Sequence, residues 1–314
     1  MPKSVCIVAP CLNEEAVLPA FLERVRAVAA GLPAYAFSFL LVDDGSRDGT
    51  CAVIRAAAQA DPRVRGVFLS RNFGQQRAIT AGLDFCEADY VIIMDSDLQD
   101  PPELIPEILA QLEAGYNLVH TVRAERDVDA PLKRLSAQLF YAVMRRWVLP
   151  DLPYNAGDFK GFDREVLTAF RQYRERVRFL RGIFATLGFR QAEVRFRREA
   201  RYSGGSKYPL LAVLRLGRDA LVSNTNWPLR AGGLVGVMCL VLAPLVLVWG
   251  FWSTKTILFG IQSAFILLIG GSALCMLGAI GEYLRVLVLE TKARPLYIVH
   301  ELCNIAPAAT PESR

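Results

Sequence analysis

The chain has 314 residues, 53% hydrophobic and 21% charged, with 36 basic and 31 acidic residues and a formal charge of +5. Seven cysteines without a C-x-x-C spacing exclude a disulfide frame or a zinc site, and two histidines, His120 and His300, exclude a His-built metal centre. The composition suits one or two soluble domains, except that the apolar residues gather toward the C-terminus.

From the N-terminus, short β-rich runs alternate with helical patterns. VCIVA precedes a helix over 14–30, FSFLLV one over 49–60, RGVFL one over 75–86 and YVIIM one over 102–115, and LVHTV closes the series. This alternation predicts parallel strands joined by crossover helices, with runs such as VCIVA buried on both faces. In such sheets ligands collect outside the carboxyl ends of the strands. Three of those ends carry unusual polar residues: Pro10, Asn13 and Glu14 after the first strand, Asp43 and Asp44 after the second, Asp95 and Asp97 after the fourth. Asp43 and Asp44, adjacent acids ending an apolar strand, read as acceptors for a base imide or ribose hydroxyls. Ser46 and Asp48 read as caps of the following helix.

Residues 90–103, YVIIMDSDLQDPPE, carry the strongest signal. Alternation along a strand sends Asp95 and Asp97 to one side, where two carboxylates repel unless a cation joins them. A divalent metal with a bound diphosphate is the natural partner. Asp100, Pro101, Pro102 and Glu103 shape and cap the next helix.

Residues 133–149 form an amphipathic pattern with Leu135, Leu139, Phe140, Val143 and Trp147 on one face, which suits a helix at a membrane interface or one packed on the domain core, and 208–221 is a second interfacial candidate. Between them lies an arginine-rich stretch that points to anionic headgroups or phosphate rather than nucleic acid. Residues 231–252 and 256–281 carry no charged residue, and each is long enough to cross a hydrocarbon layer needing ~20 apolar residues. Arg215, Arg218 and Arg230 precede this pair, Arg285, Lys292 and Arg294 follow it, and only Lys255 lies between, so both ends are expected in the cytoplasm. The N-terminus has no signal-peptide pattern, which predicts a cytoplasmic first domain. Gly232, Gly233, Gly236, Gly270, Gly271 and Ala273 offer small surfaces for close helix approach, either within the hairpin or in a homo-oligomer. The tail after Ile305 reads as disordered.

In order along the chain, PCLNE, VDDGS, NFGQQ, MDSDLQDPPE, GDF and RYSGGSKY resemble the GT-A glycosyltransferases of family 2. More narrowly, they resemble the polyprenyl-phosphate glycosyltransferases, which include dolichol-phosphate mannose synthase and the bactoprenol glucosyltransferases. The resemblance implies an α/β, Rossmann-like nucleotide-sugar domain with a mainly parallel sheet over 1–206 and a juxtamembrane amphipathic helix and linker over 207–230. Two transmembrane helices within 231–281 and a cytoplasmic C-terminal segment over 282–314 follow. The implied location is the inner (plasma) membrane.

The implied reaction is inverting transfer of a sugar from a nucleotide diphosphate to the phosphate of a membrane polyprenol. By the same resemblance, Pro10, Asn13, Glu14, Asp43 and Asp44 hold the nucleoside, and Asp95, Asp97 and Gln99 surround Mg²⁺ or Mn²⁺. Arg201, Ser206 and Lys207 belong to a loop closing over the diphosphate, with Arg201 equally readable as part of the basic face. Arg123 and Arg134 match the lipid-phosphate cradle. Gln138 stands where mannose synthases have serine, so Ser136 is the substitute contact, and Lys133 is a ligand of the phosphate or of headgroups. Asp158 matches the catalytic aspartate, either as base or as a charge that orients the cationic cradle. The stretch ERVRFLRGIFATLGFRQ resembles the glucosyl branch, which favours UDP-glucose over GDP-mannose. A processive synthase would need Gln at Val143, and a flippase or membrane-anchored binding protein would not need Asp97.

Overall fold

The computed structural model describes residues 2–123, 156–196, 227–250 and 255–305. The first stretch follows the predicted alternation: β1 (Lys3–Cys11), α1 (Leu18–Ala30), β2 (Tyr35–Asp43), α2 (Thr50–Ala60), β3 (Val64–Leu69), α3 (Gln75–Asp84) and β4 (Tyr90–Ile93). A 3-10 turn, Pro102–Leu104, then leads into α4 (Ile105–Glu113), and β5 (Leu118–Arg123) closes the stretch. Next come β6 (Ala156–Asp163), α5 (Arg164–Phe170), α6 (Leu180–Thr186) and β7 (Gln191–Phe196). Two long apolar helices, α7 (Trp227–Gly250) and α8 (Lys255–Thr291), precede the last strand, β8 (Val299–Cys303).

The eight strands form one sheet in the order β7-β5-β6-β4-β1-β2-β3-β8. Both faces of its centre are buried: Val5, Ile7, Ala9 and Cys11 of β1 join one core cluster, while Cys6 and Val8 join the other. Apolar residues at helical spacing on α1, including Leu18, Phe21, Leu22 and Val25, close the first face. Ala78, Ile79 and Leu83 of α3 close the second. All seven cysteines are free, as packing residues would be.

The sheet is more mixed than predicted. β1 pairs in parallel with β2 and β4, β2 with β3, and β5 with β7. β6 runs antiparallel between β4 and β5, and β8 runs antiparallel to β3. Because β6 is reversed, its first residues meet the carboxyl ends of β4 and β5. Asp158 therefore shares one edge of the sheet with Asp95 and the backbone of Arg123.

The apolar helices also differ from the predicted limits. α8 runs 37 residues, past Gly281 to Thr291, because nothing in GEYLRVLVLET breaks a helix until Ala293, at φ 45°. Among the described residues, Leu268–Thr291 is the one stretch long and apolar enough to cross a membrane, and Leu229–Cys239 is shorter. That stretch includes Glu282 and Arg285, which pair with each other at 2.8 Å. α7 packs against α8 where Gly232 lies beside Met276; a Cβ at Gly232 would fall 2.3 Å from the Met276 sulfur. Outward-facing Leu234, Val241, Leu274 and Leu277 leave a broad apolar surface.

After α8 the chain returns to the sheet and is held there. The Glu290 carboxylate accepts from the Arg176 backbone N–H, Tyr297 donates to Asp84 at 2.7 Å, and Arg174 reaches the same carboxylate at 2.8 Å. Sequence reading took 282–314 as a cytoplasmic C-terminal segment and did not foresee β8.

Candidate functional site

The site lies at the carboxyl ends of β1, β2, β3 and β4, around the switch point where β1 separates β4 from β2. Loop-to-loop hydrogen bonds build it. The Ser96 hydroxyl donates to the Pro10 carbonyl at 3.0 Å, which ties the turn after β4 to the loop after β1. Asn13, at φ 54°, accepts from the Arg47 N–H at 2.9 Å, and its own N–H donates to the Ser46 hydroxyl at 2.9 Å. Glu14 donates its N–H to Thr50 at 2.8 Å. Ser46 is thus a latch between two loops and not a helix cap. Asp48 accepts from the Thr50 N–H at 3.1 Å at the start of α2, close to its predicted role.

The two adjacent acids do different work. Asp44 is buried and spends one oxygen on the Phe73 N–H at 2.7 Å and the other on the Gly74 N–H at 2.9 Å. Burial pushes its carboxyl above the usual range, and the two backbone donors pull it back. Asp44 therefore shapes the loop before α3. Asp43, equally buried, accepts from the Gly45 and Ser46 N–H groups with Oδ2 alone, while Oδ1 receives no N–H or hydroxyl from the described residues. Beside it the Cys51 thiol is pushed up to about 11 by burial and by the Asp43 charge, so it stays protonated.

Asp43 lines a cavity of about 380 Å³ whose walls include Arg55, Phe68, Arg71, Asn72 and His300. Gly45 lets the two walls meet: its φ is +72°, and a Cβ there would fall 2.4 Å from the Arg71 carbonyl carbon.

β4 ends at Ile93, so the strand alternation predicted for Asp95 and Asp97 continues instead through a turn. The pattern of exposure survives. Asp95, Asp97 and Gln99 are half-exposed, while Ser96, Leu98 and Asp100 are buried. Leu98 at φ 60° and the Gln99 N–H donated to Asp97 Oδ1 at 3.1 Å set that turn. Gln75, at the start of α3, donates to Asp95 Oδ1 at 2.8 Å.

Among the described residues no group of three His, Cys, Asp or Glu side chains forms a metal cage. Two half-exposed carboxylates and an amide oxygen fit a hard cation that fills its shell with phosphate oxygens.

At the β6 edge, Asp158 is gripped by Arg181, and Lys160 lies beneath, only 1% exposed. Burial lowers the Lys160 ammonium to about 8 against the favourable Asp158 charge, and its Nζ stands 4.5 Å over the Phe184 ring. Sequence reading missed Gln75, Lys160, Arg181 and His300 as site residues. NFGQQ contained the first, and Arg181 was one arginine in a crowded run. Arg201, Ser206, Lys207, Lys133, Arg134, Ser136 and the two predicted interfacial helices lie outside the described residues. Arg123 is placed by its backbone at the end of β5.

A doubly wound sheet with paired acids at its switch point is the architecture of a nucleotide-binding α/β protein, and its sequence relatives say which kind. Residues 6–170 match the family profile described as Glycosyl transferase family 2. The chain is 35% identical over 303 residues to the bactoprenol glucosyl transferase of Shigella phage SfX, covering 94% of this chain and 98% of that one. It is 34% identical to the undecaprenyl-phosphate 4-deoxy-4-formamido-L-arabinose transferase of Shewanella sediminis, covering 95% and 92%. A solved structure, glucosyl-3-phosphoglycerate synthase from Mycobacterium tuberculosis with Mn²⁺, UDP-glucose and phosphoglyceric acid, aligns with a TM-score of 0.48 at 21% identity, over 70% of this chain and 78% of that one. The protein belongs to glycosyltransferase family 2.

Proposed function

We propose that this enzyme transfers a hexose, glucose from UDP-glucose in the first instance, to the phosphate of a membrane polyprenol such as undecaprenyl phosphate, with inversion at the anomeric carbon. The observation that carries the uridine reading is Asp43, a buried acid lining a 380 Å³ cavity with the Cys51 thiol beside it, whose Oδ1 lies just beneath the surface and receives no N–H or hydroxyl from the described residues. A buried carboxylate oxygen without such a donor is costly, and one imide N–H of uracil supplies what it lacks. Guanine presents two adjacent N–H groups, which suit a carboxylate with both oxygens open; Asp43 Oδ2 is already taken by Gly45 and Ser46. The acceptor reading is supported by the names of the relatives, both of which act on polyprenyl-linked chemistry.

In this reading Pro10, Asn13 and Glu14 frame the nucleoside next to Asp43, and Asp44 holds the facing loop. Asp95, Asp97 and Gln99 would hold Mg²⁺ or Mn²⁺, which supplies charge neutralisation for a departing diphosphate. Arg201, Ser206 and Lys207 would contact that diphosphate. An oxygen of the acceptor phosphate attacks the anomeric carbon from the face opposite the leaving group. One C–O bond forms as the bond to the diphosphate breaks, and UDP departs. Arg123, Lys133, Arg134 and Ser136 would seat the acceptor phosphate near Asp158. The catalytic domain and both ends of the helix pair lie on the cytoplasmic side of the inner membrane, where nucleotide sugars are found.

The test uses purified full-length protein with undecaprenyl phosphate, Mg²⁺ and a panel of nucleotide sugars. Release of UDP from UDP-glucose, lost in Asp43→Asn and Asp97→Asn, is the expected result. Turnover with GDP-mannose alone would overturn the uridine reading, and no turnover with any donor would overturn the enzyme reading.

A further inference from the structure

The cavity beside Asp43 has one wall that comes from the far side of the apolar helices. β8 pairs antiparallel with β3, matching Gly66 with Cys303, Val67 with Leu302 and Phe68 with Glu301, but then Leu69 with Val299. His300 is the residue left over. Such a bulge removes one residue from the ladder and re-aims its side chain, and bulges concentrate at sheet edges beside binding sites. Here the re-aimed side chain lines the same cavity as Asp43.

The bulge is not a frayed end, because the strand is fixed on both sides of it. The Ser70 N–H donates to the Ile298 carbonyl at 2.9 Å. The Glu301 carboxylate takes both arms of Arg55, at 3.0 and 2.6 Å. Asn304 donates its amide to the Ala58 and Val64 carbonyls at 2.6 and 2.9 Å. Arg55 lies 4.9 Å over the Phe68 ring and itself lines the cavity, so β8 positions a second wall through Glu301. His300 is exposed, and among the described residues its side chain is engaged only through its charge, which is one of several groups that hold the neighbouring Glu301 carboxyl below the usual range.

We propose that His300, in the strand that follows the apolar helices, is a nucleoside-contacting residue of the donor pocket. Its imidazole offers one N–H donor and one ring-nitrogen acceptor, which suits a ribose hydroxyl or a base carbonyl at the mouth of a pocket whose interior acceptor is Asp43. The donor site is then assembled from both ends of the chain, and only the chain that has completed the excursion through α7 and α8 has all of it. This inference rests on the cavity being the nucleoside pocket.

The experiment measures UDP binding by calorimetry on the full-length protein in detergent, for the wild type and for Asp43→Asn, His300→Ala and His300→Gln, with thermal unfolding of each. Removing one hydrogen bond from a partly exposed site predicts a UDP affinity lower by roughly 3- to 10-fold in His300→Ala, at an unchanged melting temperature, with recovery in His300→Gln. Wild-type affinity in His300→Ala, while Asp43→Asn has lost binding, overturns the role of His300 and leaves the pocket standing. Failure of the wild type to bind UDP, or binding in Asp43→Asn equal to wild type, overturns the pocket reading itself.

Discussion

Arg181 closes on Asp158 with both arms of its guanidinium, Nε to Oδ1 at 2.9 Å and Nη2 to Oδ2 at 3.3 Å. Such a forked pair fixes the carboxylate in one orientation. The proposed acceptor, a phosphate monoester with a second pKa of about 6, is mostly dianionic above neutral pH and has no proton to lose. We expect Asp158 to act as a fixed charge, so Asp158→Asn should lose activity by roughly 100-fold to the same extent from pH 6 to pH 9. Arg181→Gln should lose a similar factor, and the double variant little more, because the two act as one unit. A base would behave differently: the loss would concentrate near pH 6, where the phosphate still carries a proton, and fade by pH 9. A pH series of kcat with each variant separates the two.

Gln75 makes a second such prediction. Its amide donates to Asp95 Oδ1 at 2.8 Å, so it orients a proposed metal ligand without being one. Outer hydrogen-bond partners of metal ligands are worth about 10- to 100-fold in metal affinity. Gln75→Ala should raise the Mg²⁺ concentration for half-maximal activity by about 10-fold and leave the rate at saturating Mg²⁺ nearly intact. Asp97→Asn should stay inactive at any Mg²⁺ concentration. A Mg²⁺ titration of sugar transfer distinguishes the orienting residue from the ligand, and an unchanged half-saturation in Gln75→Ala would remove Gln75 from the site.

These contacts also show where sequence reasoning reached and where it stopped. The first four strands were legible because each is an apolar run with polar residues just past its end and a helix of period 3.6 behind it, and LVHTV followed as the next apolar run in the series. β6, β7 and β8 were not: AGDFKGFD, QAEVRF and VHELC mix charge with apolar residues and take their partners from distant segments. The acids at the strand ends were found by type and position. Their division of labour was not, because Asp43 and Asp44 are identical in sequence and differ only in which backbone N–H groups the folded loops bring to them. Arg181 and Gln75 act on residues 23 and 20 positions away, and no local pattern marks them.

A third prediction concerns pH and stability. His120 is buried; its Nε2 stands 3.1 Å from the Gln191 amide oxygen, and its Nδ1 has no partner. Burial, reinforced by the neighbouring Lys160 charge, lowers its pKa from 6.5 to about 3. The native state therefore keeps His120 neutral while the unfolded chain takes up a proton below pH 6.5. Stability should be lost as pH falls from 6.5 toward 3, at a slope of up to about 1.4 kcal/mol per pH unit from this one group. In His120→Leu the decline of the melting temperature between pH 6.5 and pH 4 should be visibly shallower. An identical slope in both proteins would show that His120 is protonated in the fold.

The last prediction follows from the position of β8. β7 precedes the apolar helices, β8 follows them, and both belong to the same sheet. A chain that leaves a domain and returns to it crosses a bilayer an even number of times. Leu268–Thr291 is long and apolar enough for one crossing, yet one crossing alone would leave β8 on the wrong side of the membrane from β3. Among the described residues, α7 is the segment that could cross together with α8; otherwise neither crosses. The 24 residues of α7, about 36 Å at 1.5 Å per residue, suffice for a hydrocarbon core of about 30 Å. We expect a hairpin whose tip carries Lys255. In a variant without native cysteines, Lys255→Cys should react with a membrane-impermeant maleimide in intact cells, whereas Glu87→Cys, exposed on the catalytic domain, should react only after lysis. Protection of both positions in intact cells would mean that the two helices lie along the inner surface and do not span it.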